Sequence, residues 1–439
     1  MKNDKQVVNA WCMYDWANSV YSLAISTAIF PIFYTATTGK LFKEGIVPFF
    51  GIEIENTVLL AYALSFSFLL IAGLSPLLSG IADAGGYKKQ LLKFFVYLGS
   101  FSCTALFFFT GENVEWGILF SMLASIGFSG SLVFYNAYLP EIVTEDRYDV
   151  VSARGFALGY IGSVIHLVVS LILILKKDWF GIESDTLPSR IAFLSVGVWW
   201  FGFSQYTFAH LPNEQHEKDP SPVHKLFRKG YKEIHKVWRD AKDKPYIRIF
   251  LASFFFYSMG VQTVILLAAS FGEKELKMDS AGLIGLIILL QVVAIGGAAL
   301  FAFVSKKTSN KAALISMILI WIALCVSAYF VQDQLQFYIV GMSVGLVMGG
   351  IQSLSRSTFS KLIPEGSPDT TSYFSFYDVA EKLSIVIGTF AYGFIEQLTG
   401  NMRYSVLALG GLFIIGLLLM FFFRMPKTGV RHKKVTAEA

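Results

Sequence analysis

The chain has 439 residues, of which 54% are hydrophobic and only 15% charged, against about 25% charged in soluble domains. A mean hydropathy of +0.57 excludes a water-soluble globular enzyme. It also excludes a disordered chain, which needs low hydrophobicity and high net charge. What remains is a polytopic membrane protein whose apolar side chains face lipid or other helices.

The first apolar segment, 11–34, is interrupted by Asp15 and Asn18, so it reads as a retained membrane helix and not a cleaved signal. Segments long enough to cross a bilayer, about 20 residues each, follow at 57–81, 91–110, 116–138, 154–175, 191–211, 247–270, 281–304, 312–330, 337–355, 373–396 and 403–424. Runs of this length without alternation predict twelve transmembrane helices, not barrel strands. Pro76 is the clear proline inside a segment. The cysteines (Cys12, Cys103, Cys325) lie in or beside apolar segments without metal-ligand spacing. No metal or cofactor is expected.

Counting helix ends, 27 of the 36 Lys and Arg fall on the side of the N-terminus and 8 on the other. The bias places both termini in the cytoplasm. It also explains the net charge of +5 without a nucleic-acid partner. The longest loop, 212–246, divides the chain into an N-terminal six-helix bundle, 1–211, and a C-terminal one, 247–424, with a tail at 425–439. Within this loop Phe227, Tyr231, Ile234 and Trp238 recur at helical spacing among basic residues, which predicts an amphipathic helix on the inner leaflet.

Two such bundles suggest an internal duplication. The loop after segment 2 reads Gly80-Ile-Ala-Asp83-Ala-Gly-Gly86-Tyr-Lys88-Lys89. The loop after segment 8, Ala302 to Lys311, keeps a tight basic turn and loses the acid and the glycines. Gly-x-x-Asp-x-x-Gly-x-Lys-Lys resembles the signature loop of the major facilitator superfamily. A narrower resemblance rests on Tyr14-Asp15-Trp16-Ala17-Asn18-Ser19, Tyr135-Asn136-Ala137-Tyr138-Leu139-Pro140-Glu141, Ser152-Ala153-Arg154-Gly155, Gly349-Gly350-Ile351-Gln352-Ser353-Leu354-Ser355-Arg356-Ser357 and Glu381-Lys382-Leu383-Ser384. Together these are similar to the family of the autophagy-related vacuolar amino-acid effluxer and its bacterial relatives. The resemblance implies the major facilitator fold and efflux, with amino acids as substrates of the fungal members. The short loops suit a bacterial inner membrane.

Charges inside membrane helices are costly, about 2.5–3.5 kcal/mol at mid-helix, so they mark pairs or wet cavities. Asp15, Asn18, Ser22 and Ser26 fall at i, i+3, i+7 and i+11, one polar stripe. The superfamily fold implies that segments 1, 4, 7 and 10 surround a central cavity. Segment 4 offers Ser121, Ser125, Ser129 and Asn136, segment 7 offers Ser258 and Gln262, and segment 10 offers Gln352 and Arg356. Segment 11 holds Asp378, Glu381 and Lys382, with Asp378 and Lys382 spaced as an i, i+4 pair. At 1.5 Å per residue, Glu381 lies roughly 12 Å and Asp15 roughly 6 Å from the inner side. Three readings stand for these residues. Asp15, Arg154 and Glu381 form an ionic lock at the inner mouth, or Asp15 and Glu381 carry protons or touch substrate, or the charges only pack against one another. His166, with Ser163 and Ser170 on its face, is either a titrating group or bonded to a neighbouring helix. In the superfamily the acid of the Asp83, Gly86, Lys88, Lys89 loop holds neighbouring helix ends when the inner side is closed. Small-residue rows at Gly341, Gly345, Gly349 and at Gly155, Gly159 predict close helix contacts.

No Walker A, His-Glu-x-x-His or Gly-x-Ser-x-Gly pattern is present, so an enzyme is not expected. The sequence predicts a proton-coupled secondary exporter of a small polar solute, working as a monomer in the lipid bilayer. The alternatives are a passive facilitator or channel, and a non-transporting membrane sensor, for which no loop is long enough to hold a soluble domain.

Overall fold

A computed structural model of the chain describes residues 2–213 and 223–426. Residues 214–222 of the expected linker and all but two residues of the expected tail lie outside it.

The first half contains α1 (Lys5–Leu41), α2 (Asn56–Gly85), α3 (Lys88–Phe108), α4 (Val114–Ile142), α5 (Tyr148–Leu175) and α6 (Leu187–His210). A linker helix, α7 (Val223–Lys242), leads to the second half. There follow α8 (Pro245–Leu276), α9 (Ser280–Lys307), α10 (Asn310–Phe330), α11 (Gln334–Leu362), α12 (Thr370–Thr399) and α13 (Met402–Phe422). Among the described residues, ten of these helices are long and apolar enough to cross a membrane. The expected twelve also includes α6 and α12, which are as long but more polar.

Local chemistry sets the ends. Asp4 accepts from the backbone N–H groups of Gln6 and Val7 at the start of α1, and Asp279, Ser309, Asp333 and Asn401 cap α9, α10, α11 and α13 in the same way. Gly86 stops α2 in the left-handed region at φ 68°. Most helices run past their apolar stretches, so that Arg356 lies inside α11, well short of its end. Ser22–Ala28 of α1 is π-helical, a local widening often found at functional sites.

One feature departs from the all-helical expectation. Between α1 and α2, β1 (Ile46–Phe49) and β2 (Ile52–Glu55) form an antiparallel hairpin, pairing Ile46 with Glu55 and Phe49 with Ile52. The two turn residues, Phe50 and Gly51, have φ of 48° and 84°, as a two-residue hairpin turn with matching twist requires. Four-residue strands leave too short an alternation to stand out in the sequence.

One buried hydrophobic cluster draws its residues from 8–211 and a second mainly from 237–423. The halves meet where α5 packs on α9 and α11, and α2 on α12. One end of the molecule gathers the start of α1, the end of α13, the linker helix and the turns rich in Lys and Arg. We call it the basic end; the hairpin marks the far end. The glycine row of α11 seats α9, since a Cβ on Gly345 would stand 2.5 Å from the Leu290 carbonyl oxygen. Gly345→Val should therefore cost about 1–3 kcal/mol through overpacking. A thermal unfolding midpoint in detergent unchanged from the parent would show that this contact has room.

Candidate functional site

The stripe on α1 and the polar residues of α4, α8 and α11 converge on one cavity of about 220 Å³ between the halves. Asp15, Asn18, Ser22 and Ser26 line it from α1, Ser125, Ser129 and Asn136 from α4, Ser258 and Gln262 from α8, and Gln352 and Arg356 from α11. Glu381 and Lys382 of α12 and Tyr160 of α5 also line it. The cavity shares Tyr21, Ser26, Thr27, Phe68, Leu266 and Ile385 with a wider vestibule of about 740 Å³. Ser121 lines that vestibule, which reaches the surface at the exposed residues Ile32, Thr57 and Glu273 of the far end.

The floor of the cavity is a buried ion pair that joins the halves. Arg356 Nη2 donates to Asp15 Oδ2 at 3.1 Å, and Tyr135 OH donates to the same oxygen at 2.8 Å. Arg356 also donates from Nε to Ser152 Oγ and from Nη2 to the Ser152 carbonyl, both at 2.9 Å, and from Nη1 to Asn136 Oδ1 at 3.4 Å. Its guanidinium lies over the rings of Phe156 (4.2 Å), Trp11 (4.6 Å) and Tyr135 (5.5 Å). A desolvated cation needs both hydrogen-bond acceptors and polarisable faces, and here the first half supplies them all. Gly155 makes the fit possible, because a Cβ there would collide with Asp15 Oδ2 and come within 3.0 Å of Arg356 Nη2.

Two further polar clusters close the basic end. In the first, Asp149 at the start of α5 accepts four hydrogen bonds from the second half. The donors are Ser357 Oγ (2.7 Å), Asn310 Nδ2 (2.8 Å), Lys361 Nζ (2.8 Å) and Ser305 Oγ (3.1 Å). In the second, Asp83 accepts from the backbone N–H groups of Ser372 (2.7 Å) and Thr371 (3.3 Å). It thereby caps the positive end of α12. Beside it Glu141 holds Lys88 at 2.5 Å and accepts from Thr370 Oγ1 at 2.5 Å. Lys89 turns inward within the first half, donating to the Leu211 carbonyl (2.6 Å) and Asn213 Oδ1 (3.0 Å).

On the cavity wall Lys382 Nζ lies between Glu381 Oε2 (2.9 Å) and Asp378 Oδ1 (3.3 Å). Gln262 Nε2 donates to Glu381 Oε1 at 3.3 Å, and Tyr160 OH donates to Gln352 Oε1 at 2.7 Å. Glu381 thus shares Lys382 with Asp378, where the i, i+4 spacing alone had left it without a partner. Asp378 itself is not among the lining residues.

Three expectations need correction. Arg154 is exposed and takes no part in the lock; Arg356, from the other half, is the cation that meets Asp15. Glu381 does not join that lock either, since its partners are Lys382 and Gln262. His166 is buried away from the cavity, with Nε2 2.9 Å from Ser195 Oγ of α6 and its ring edge-on to Trp199. The neighbouring-helix reading of His166 is the one this geometry fits. The sequence reading missed Asp149, although an acid opening α5 could supply what the loop after segment 8 lacks. It also missed Gln291 of α9, whose Oε1 is buried without a hydrogen-bond partner among the described residues while the side chain lines the cavity. Ser129 Oγ is in the same condition.

Two helical bundles around a polar cavity, closed at one end by charge and open at the other, define a membrane transporter of the major facilitator superfamily. The fold is that of FucP, the E. coli fucose:proton symporter, in its outward conformation: TM-score 0.68 at 14% identity, covering 96% of this chain and 100% of that one. The chain belongs to the family described as Vacuole effluxer Atg22 like, matching it over residues 3–148 and 144–433. It is 34% identical to the MFS-type transporter YxiO of Bacillus subtilis (strain 168), covering 96% of both chains. It is 26% identical to Autophagy-related protein 22 of Yarrowia lipolytica, over 85% of this chain and 77% of that protein.

Removing one partner of a buried ion pair leaves an uncompensated charge, at a cost of about 3–5 kcal/mol. Asp15→Asn should therefore shift the closed basic end toward open by roughly a hundredfold or more. Spin labels at exposed Arg147 and Lys307, on opposite halves of that end, should report a longer distance in the variant; an unchanged distance distribution would remove the pair from the closure. Gly155→Val, which wedges the same pair, should shift the distribution in the same direction.

Proposed function

We propose that this protein is a secondary active exporter that works by alternating access. The observation that carries the reading is one cavity, polar at its floor and wall, sealed at the basic end by Asp15–Arg356 and open at the far end. In this reading the basic end is cytoplasmic, as the Lys and Arg bias favours. The structure is then the outward-facing state, in the cytoplasmic membrane of a bacterium. The protein acts as a monomer.

The cargo is a small polar solute such as an amino acid. Support comes from the mixed lining: a cation and an acid at the floor, an acid–lysine pair on the wall, and Asn18, Gln262, Gln291 and Gln352 between them. The family's description as effluxers favours export as the direction.

The chemistry of the floor supports coupling to protons. In the outward state a proton descending the vestibule reaches the Asp15 carboxylate. Protonation cancels its charge and leaves Arg356 buried without a counter-ion, an arrangement that is unstable. The halves separate at the basic end, Asp15 releases its proton to the cytoplasm, and solute enters from that side. Each unit of pH difference supplies about 1.4 kcal/mol per proton to drive the cycle. Glu381, held by Lys382 and Gln262, is the second acid on the same path.

Reconstituted protein given a mixture of isotope-labelled amino acids should accumulate some of them against their gradients when a pH difference is imposed. Asp15→Asn or Glu381→Gln should abolish that response. Accumulation retained in both variants would remove the coupling assignment. Equilibration without accumulation would make the protein a passive facilitator. Comparing metabolites in cells and medium of a deletion strain and its parent identifies the solute.

A further inference from the structure

The linker helix α7 presents three different faces. Leu226, Gly230, Val237 and Ala241 fall within about 60° of one another around the helix axis. This narrow stripe packs against the rest of the protein: Val237 and Ala241 are buried, and Gly230 meets Gly80 of α2 backbone to backbone, with a Cβ on Gly230 only 2.6 Å from Ile81. The other end of the helix reaches α12. Lys236 Nζ lies 2.9 Å from Asp369 Oδ2, Tyr373 OH donates to Asp240, and Trp238 packs on Phe376 at 5.5 Å. The helix therefore spans the seam between the two halves at the basic end.

The aromatic residues lie beside this stripe and not on it, and of them Trp238 touches α12 through Phe376. Phe227, Tyr231 and Trp238 form a second band, about 90° round the helix, and are 45%, 66% and 56% exposed. The next sector carries Arg228, Lys232 and Arg239, all exposed. The acids Glu233 and Asp240 lie on the opposite side, engaged by Lys236 and by Lys244 with Tyr373. Charge on this helix is thus segregated: acids toward the protein, a cationic ridge away from it, and an aromatic band between.

We propose that α7 is a binding site for anionic phospholipid headgroups, with the aromatic band at the membrane interface and Arg228, Lys232 and Arg239 on the phosphates. Aromatic side chains with an apolar body and a polar edge settle at the headgroup level. A basic ridge beside them complements the negative surface potential of a membrane containing anionic lipid. The occupant is a bilayer because α7 crosses the ends of α2 and α12, helices that themselves carry exposed large apolar residues, among them Leu69, Leu74 and Phe390. Because α7 holds both halves, headgroup binding acts on the closed basic end.

The test uses the full-length protein with a spin label at Tyr231→Cys. The native Cys12, Cys103 and Cys325 are buried. The protein is reconstituted in vesicles of phosphatidylcholine alone or of phosphatidylcholine with phosphatidylglycerol, and oxygen and a nickel chelate compete as relaxing agents. We expect the label to favour oxygen in the anionic vesicles and the nickel chelate in the neutral ones, a reversal of the ratio. The triple variant Arg228→Gln, Lys232→Gln, Arg239→Gln should lose that reversal while keeping its unfolding midpoint in detergent, since all three side chains are exposed. Nickel access in both lipids overturns the proposal. So does oxygen contact that ignores lipid charge. Protection from both agents that grows with protein concentration also overturns it, and points to a second copy of the chain.

Discussion

The Asp15–Arg356 pair is the constraint around which the rest of the structure is arranged. A guanidinium that is 3% exposed cannot survive in a membrane protein interior without acceptors and a counter-charge. Every group that stabilises it belongs to the opposite half of the chain. The pair exists only while the halves are together at the basic end. It holds them there, and its loss leaves two buried charges in need of water. A single contact is in this way both a bridge between the halves and the floor of the cavity.

The other closures share this logic and differ in chemistry. Asp149 gathers four donors onto one carboxylate, two on each oxygen, so its hydrogen-bonding capacity is well used. Asp83 meets the start of α12 through backbone N–H groups and the helix dipole. The two lie at related places in the duplicated architecture. In the first half the acid sits in the last turn of α2 and reaches a helix of the second half. In the other case the acid sits at the start of α5, and the end of α9 (Ser305) and the start of α10 (Asn310) supply donors to it. The loop from Ala302 to Lys311 thus keeps an equivalent contact with the donor and acceptor roles exchanged.

Much of the site was legible in the sequence. The i, i+3, i+7, i+11 stripe of Asp15 to Ser26 does line the cavity, because helical periodicity fixes which residues share a face. The Asp378–Lys382 pair follows from the same local geometry. His166 and Arg154 were harder. A periodicity states a face but not a direction, and the face of His166 turns to α6 while Arg154 turns outward. The aromatic residues of α7 show the limit most plainly. Hydrophobic spacing picks out Phe227, Tyr231, Ile234 and Trp238 as one apolar row for a leaflet, but it says nothing of the small-residue stripe beside them that close backbone approach at Gly80 and Gly230 docks on the protein.

By itself the sequence determined the class of solvent, the helices and their polar faces, and the glycine rows that bring helices close. These depend on local covalent spacing and on the cost of placing charge in lipid. Only the tertiary structure decided which acid meets which base. Residues 341 positions apart, such as Asp15 and Arg356, become neighbours through the packing of two bundles, and no local pattern encodes that distance. It also decided which end is sealed, because closure is a property of the contacts between halves and not of either half alone.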